Sequence, residues 1–163
     1  MICVGIDAGS RAIKIVLMEA DTQEVVAAGT VDQRIEQETL INQLFQHLTE
    51  TNGVSRQDVS RIVATGYARN IVRMADTTIT EITCHARGVH HSRPDVRTVI
   101  EIGGQDSKLI RVNGRGDVED FVMNDRCAAG TGCFLEMVAR RLDVPVHRLG
   151  AIATQSRKPA AIS

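Results

Sequence analysis

Tryptophan is absent from this chain of 163 residues, tyrosine occurs once and phenylalanine three times, so aromatic residues make up only 2% of it. Its core must therefore be built from Ile, Val, Leu and Ala, a composition that suits sheets covered by helices. A basic excess is also missing: 19 Lys and Arg stand against 20 Asp and Glu, with no basic tract and a formal net charge of -1. The stripe that neutralises phosphate backbones is lacking, which argues against a nucleic-acid partner. No apolar run approaches bilayer-spanning length, so no membrane role is expected. The opening "MICVGIDAGSRAIK" has no basic leader and is interrupted by Asp7, unlike a secretory signal. The expectation is a cytoplasmic protein whose Cys3, Cys84, Cys127 and Cys133 stay reduced or bind metal rather than pair.

What the chain has is enough apolar content, 43%, for one ordinary domain or two small ones, and an internal repeat. Residues 2–31 and 97–122 share one order of features. An apolar β-rich run ends at an acidic residue, a Gly-containing loop follows, and a second run begins near a lysine. Asp7 to Lys14 and Glu101 to Lys108 are each seven positions apart. A polar turn ("EADTQE", "NGRGD") and a third run complete each copy, which reads as a three-stranded antiparallel meander.

Between and after the copies lie helical patterns. Leu40, Ile41, Leu44, Phe45 and Leu48 form an amphipathic face ending before Asn52-Gly53. A helix is expected from about Thr80 to His91, closed by Pro94, and another from near Thr131 with Phe134, Leu135, Val138, Ala139 and Leu142 on one face. "RIVATG", Arg61 to Gly66, reads as a buried strand ending in a turn. The expected domains are residues 1–94, a first half with one loop, and 95–163, a partial second half with the other.

In "GIDAGSRAIK" glycine lets backbone amides approach phosphate oxygens, Ser10 and Lys14 can donate to them, and Asp7 can hold a hydrated Mg²⁺. The loop is neither a Walker loop nor a dinucleotide fingerprint, since GxxxxGK[ST] is absent and a strand follows it rather than a helix. Taken alone, a DxGS turn is equally the make-up of a plain hairpin. The second loop, "EIGGQDSK", offers the same elements again. Gln105 can orient an attacking water by hydrogen bonding or be a solvated turn residue. Cys84, His85, His90 and His91 lack a second pair to complete a tetrahedral site, and Cys3 and Cys133 read as packing residues.

The two loops and their spacing resemble the actin, sugar kinase and heat-shock chaperone superfamily. "GIDAGS", "ATGYARN", "EITCHARG", "EIGGQDSK" and "MNDRCAAGTGCFLE", in that order, are more specific. They resemble the ATPase activators of 2-hydroxyacyl-CoA dehydratases and the ATPase subunits of benzoyl-CoA reductases. The resemblance implies an α/β, actin-like (RNase H-like) ATPase fold with ATP and Mg²⁺ as ligands. It implies catalytic roles for Asp7, Glu101 and Gln105. Gly9, Ser10, Arg11, Ala12, Ile13 and Lys14 would contact the nucleotide on one side, and Gly103, Gly104, Gln105, Asp106 and Lys108 on the other. It further implies a homodimer sharing a 4Fe-4S cluster with Cys127 as a ligand, an acyl-CoA dehydratase or reductase partner, and ferredoxin or flavodoxin as electron donor. Small neighbours at Ala128, Ala129 and Gly130 leave room for a cluster, and the amides opening the next helix would face it.

Three departures from the family pattern stand out. "SRAIK" replaces hydroxyl-bearing residues at Arg11 and Ile13, Glu101 stands where Asp is usual, and the chain stops at "KPAAIS" before a second cluster cysteine. A truncated second half would leave an apolar sheet face open. The alternatives are a small-molecule kinase of the same superfamily and a non-catalytic binding or assembly module.

Overall fold

The computed structural model describes residues 1–159; the last four residues of "KPAAIS" lie outside them. The chain divides into two compact units, Met1–Val99 with Ile110–Asp120, and Ile100–Leu109 with the chain from Phe121 on.

The first unit is organised by β1 (Ile2–Ala8), β2 (Ala12–Glu19) and β3 (Val25–Asp32), then α1 (Gln37–Thr51), β4 (Val59–Thr65), β5 (Thr77–Thr78) and α2 (Glu81–Ser92). The sheet order is β3-β2-β1-β4-β5, with β1 to β3 antiparallel and β4 parallel to both β1 and β5. Strand periodicity sorts the side chains of β1: Ile2, Val4, Ile6 and Ala8 are buried, while Cys3, Gly5 and Asp7 take the opposite face. Ile13, Ile15 and Leu17 of β2 and Ile62 and Ala64 of β4 join the buried set.

Helix α1 covers this face with Ile41 and Leu48, as the periodicity predicts. It lies so close to β3 that a Cβ on Gly29 would come within 2.9 Å of Leu44 Cδ1. Asn52 caps α1 and Gly53 takes φ +65°, the conformation that ends helices at glycine. Thr80 caps α2, its Oγ1 accepting from the Thr83 amide at 3.4 Å. Ala86 and Ile82 of α2 pack with Val99, Ile110, Val112 and Val118, still within the first unit.

The second meander is present as β6 (Thr98–Ile102), β7 (Ser107–Val112) and β8 (Val118–Asn124), in the sheet order β6-β7-β8. It is followed by α3 (Gly132–Arg141) and the short α4 (Leu149–Ala153). Several apolar side chains of the second unit are open to solvent. Ile100 is 74% and Ile102 58% exposed, and Leu109 and Phe121 are also open. Among the described residues no helix is long and apolar enough to cross a membrane.

Candidate functional site

The first loop is built by the hairpin between β1 and β2. Asp7 and Lys14 are register partners, so their side chains leave the same face, and Lys14 Nζ donates to Asp7 Oδ2 at 3.0 Å. The Gly9 amide donates to the Ala12 carbonyl at 3.2 Å and closes the turn. Arg11 is exposed at its tip, Ser10 and Ala12 are half-buried, and Ile13 points into the core. Of this stretch, Ile13 can therefore offer a ligand only its backbone.

Strand pairing extends the site beyond the loop. Thr30 of β3 is the register partner of Lys14, and Thr65 of β4 is that of Asp7. Thr30, Lys14, Asp7 and Thr65 thus form one polar row across four strands. The next row on the same face, Ala28, Val16, Gly5 and Val63, is small and apolar. Both rows line a cleft of about 390 Å³, with Cys84 of α2 at its side. Behind Asp7 the turn after β4 is tight. Gly66 has φ +89°, and a Cβ there would lie 2.5 Å from Asp7 Oδ1 and from the Ala8 carbonyl oxygen. Arg69 Nη1 donates to the Gly66 carbonyl at 3.0 Å and to Glu81 Oε2 at 3.2 Å, fixing that turn to α2.

The second loop repeats the construction with one change. The Gly103 amide donates to the Asp106 carbonyl at 2.9 Å, the same three-residue step as Gly9 to Ala12. Lys108 Nζ donates to Glu101 Oε2 at 3.1 Å, as Lys14 does to Asp7, but it also donates to Asp106. Both Lys108 and Asp106 are buried, at 4% and 5% exposure. Burial alone would lower the Lys108 pKa, but hydrogen bonds and charge from Asp106 and Glu101 outweigh it, and the value is raised. Lys108, expected at the phosphates, is therefore occupied by two carboxylates, and Gln105 is the exposed side chain of the loop.

The cysteine loop follows β8. Cys127 is exposed, whereas Cys3, Cys84 and Cys133 are half-buried. Asn124 shapes the loop: its Oδ1 accepts from the Cys127 amide at 3.2 Å, and its Nδ2 donates to the Cys127 carbonyl at 3.0 Å and the Ala129 carbonyl at 3.4 Å. Gly130 sits in open space at φ +80°, and Thr131 is fully buried with its hydroxyl donating to the Ala128 carbonyl at 2.6 Å.

The start of α3 departs from the expectation. Its first amides do not all face the cysteine: Gly132 donates to the Gly103 carbonyl at 2.8 Å and Cys133 to the Gly104 carbonyl at 2.9 Å. The second loop lies close enough to satisfy these helix-end donors, so they are spent on its carbonyls rather than left for a thiolate. Thr65, Gly66 and Asn124 are contributors that motif reading passed over. The asparagine three residues before Cys127, a side chain that readily bonds nearby backbone, and the glycine ending "ATG" were the available signals.

The donor sets can be tested against the implied ligands. Hydrated Mg²⁺ is held through one or two carboxylates, and Asp7, one-third exposed beside the cleft, fits that role, whereas Glu101 and Asp106 are already paired with Lys108. Beside Asp7, the buried Thr65 Oγ1 has no hydrogen-bond partner among the described residues and is an acceptor suited to a cation's water. A 4Fe-4S cluster takes four thiolates, and Cys127, exposed on a fixed loop with open space at Gly130, fits one of them. Among the described residues no three His, Cys, Asp or Glu side chains gather into a metal site.

A parallel-extended meander, a second meander and a glycine turn after an acidic residue in each define the α/β, actin-like (RNase H-like) ATPase fold. The chain belongs to the BadF/BadG/BcrA/BcrD ATPase family, whose model matches residues 4–163. It is 39% identical to the 2-hydroxyisocaproyl-CoA dehydratase activator of Clostridioides difficile, covering 100% of this chain and 60% of that protein. A solved structure of that activator with bound ADPNP superposes with a TM-score of 0.87 over 100% of this chain and 60% of the other. Component A of the Acidaminococcus fermentans (R)-2-hydroxyglutaryl-CoA dehydratase gives 0.88 at 38% identity, covering 100% and 62%. A benzoyl-CoA reductase subunit of Thauera aromatica is 32% identical over 99% of this chain and 58% of its own length. The chain thus spans about 60% of the length of these relatives.

Proposed function

We propose that this chain is the ATP-binding part of an activator that couples ATP hydrolysis to electron transfer into a 2-hydroxyacyl-CoA dehydratase or a benzoyl-CoA reductase type of enzyme. The supporting observation is the pair of backbone hydrogen bonds from Gly132 and Cys133 to the second loop. They tie a candidate phosphate loop to the helix that directly follows the cysteine loop. Any shift of Gly103 and Gly104 on binding or releasing a γ-phosphate is passed straight to α3, with no flexible linker between.

The roles follow the chemistry of each group. Lys14, exposed and held by one carboxylate, can leave Asp7 for a phosphate oxygen, while Asp7 keeps the hydrated Mg²⁺. The glycine amides of the two loops approach phosphates closely, and Gln105, open to solvent, orients the attacking water. A 4Fe-4S cluster shared by two copies of the chain would supply a low-potential one-electron centre. This chain's part in that is the Cys127 thiolate on its Asn124-braced loop. The two halves, residues 1–94 and 95–163, remain the proposed division of labour between the loops. A ferredoxin or flavodoxin is the proposed donor and the acyl-CoA enzyme the acceptor.

Anaerobic reconstitution with iron and sulfide, alongside calorimetry with Mg-ATP, tests this reading. The full chain should bind Mg-ATP and gain iron and visible absorbance, and Cys127→Ser should lose the absorbance while keeping the nucleotide. Iron uptake by Cys127→Ser equal to that of the parent would remove the cluster from the proposal, and silent calorimetry would remove the nucleotide.

A further inference from the structure

We propose that Thr65, at the end of β4, is a further residue of the first-loop site, its hydroxyl accepting from a water held by the divalent cation beside Asp7. This rests on the reading of Asp7 as the cation's carboxylate and adds a residue from a strand outside the loop.

Three observations carry it. Thr65 and Asp7 are partners in the parallel pairing of β4 with β1, so their side chains stand next to each other on one face. Thr65 Oγ1 is shut from solvent and, among the described residues, has no hydrogen-bond partner. A buried hydroxyl left in this way costs on the order of 1–3 kcal/mol, so its retention asks for a partner that arrives with a ligand. The turn after Thr65 is also built around Asp7, because Gly66 leaves out the Cβ that would collide with Asp7 Oδ1 at 2.5 Å. The strand end and its glycine therefore form a wall of the carboxylate's site.

Electrostatics select the ligand. A phosphate oxygen placed between Asp7 and Thr65 would meet the carboxylate's negative charge. A cation-bound water instead has two protons to donate, and here two acceptors stand side by side. Lys14, on the other flank of Asp7 in the same row, is the group placed for phosphate. The row thus divides the task, with ammonium on one side of the carboxylate and hydroxyl on the other.

The test is Mn²⁺ binding to the full chain in the presence of ATP, read as loss of the free-ion electron paramagnetic resonance signal. Thr65→Val should weaken Mn²⁺ about tenfold, the worth of one hydrogen bond within a charged assembly. Thr65→Ser should bind as the parent does, and calorimetric ATP affinity without metal should be unchanged in both. Thr65→Ala is measured alongside in case Thr65→Val disturbs the strand, with circular dichroism reporting the fold. Parent-like Mn²⁺ affinity in Thr65→Val and Thr65→Ala, with Asp7→Asn defective, overturns the role of Thr65 alone. Parent-like binding by Asp7→Asn, or no Mn²⁺ bound by the parent chain, overturns the reading of Asp7 and this inference with it.

Discussion

Lys14 and Lys108 occupy the same place in the two copies of one hairpin, seven residues after a strand-end acid and just past a glycine turn closed in the same way. Their surroundings differ because of one position. Where the first loop has Ala12, the second has Asp106, and that carboxylate folds back onto Lys108. Lys14 consequently shares one ion pair with a partly exposed Asp7, while Lys108 is buried between two acids. The first lysine is a free-swinging donor with a resting partner. The second is the centre of a fixed cluster whose formal charge, two carboxylates and one ammonium, is negative.

The largest effect expected from breaking this difference is on stability at the second loop. Lys108→Met leaves Glu101 and Asp106 facing each other without their cation, and removing one partner of a buried ionic group costs about 3–5 kcal/mol. Urea unfolding should show that loss, and a change below about 1 kcal/mol would mean that the cluster is solvated like an ordinary surface pair. The raised pKa of Lys108 sets the condition for the measurement. A raised value keeps the ammonium's contribution fully in place below the ordinary lysine pKa and surrenders it only as pH climbs through the raised one, so neutral buffer reports the intact cluster.

Gly103→Ala comes next. Its Cβ would overlap Asp106 Oδ1 and approach Glu101 Oε1 to 3.2 Å, so the acids must give way. Overpacking of this kind costs about 1–3 kcal/mol. The equivalent change in the first loop, Gly9→Ala, meets the Ala12 carbonyl oxygen at 3.0 Å but Asp7 Oδ1 only at 3.6 Å. It should therefore be the milder of the two in the same unfolding assay, and equal losses would show that the turns, not the acid clusters, set the tolerance.

How much of this was legible in the residues follows from range. Alternation in β1 and β2, the face of α1 and the Asn-Gly and Thr caps are local, and each element formed where its pattern placed it. "GQDSK" gave no hint that two of its charged residues are buried, since burial of a polar loop is decided by what packs over it. The Thr65 row depends on parallel pairing between strands more than fifty residues apart, and the docking of α3 on Gly103 depends on a return of the chain. Neither leaves a periodic trace. Asn124 was readable in principle, because Asn side chains readily hydrogen-bond nearby backbone groups and Asn124 lies only three residues before Cys127.

The smallest stability effect, and the sharpest separation of the two lysines, is expected at Lys14. It is more than half exposed and Asp7 is one-third exposed, so water screens the pair. Exposed ion pairs are typically worth about 0–1 kcal/mol, and Lys14→Met should unfold within that margin of the parent. If Lys14 is the mobile donor, the same variant should still lose nucleotide affinity, by about tenfold for one charge-assisted hydrogen bond to phosphate. Lys108→Met should divide the other way, with a large loss of stability, and any nucleotide defect should vanish under conditions that restore folding. Calorimetry with ATP on both folded variants decides it. Loss of affinity at Lys108 with none at Lys14 would reverse the assignment and make the buried lysine, for all its two carboxylates, the one that turns toward the phosphate.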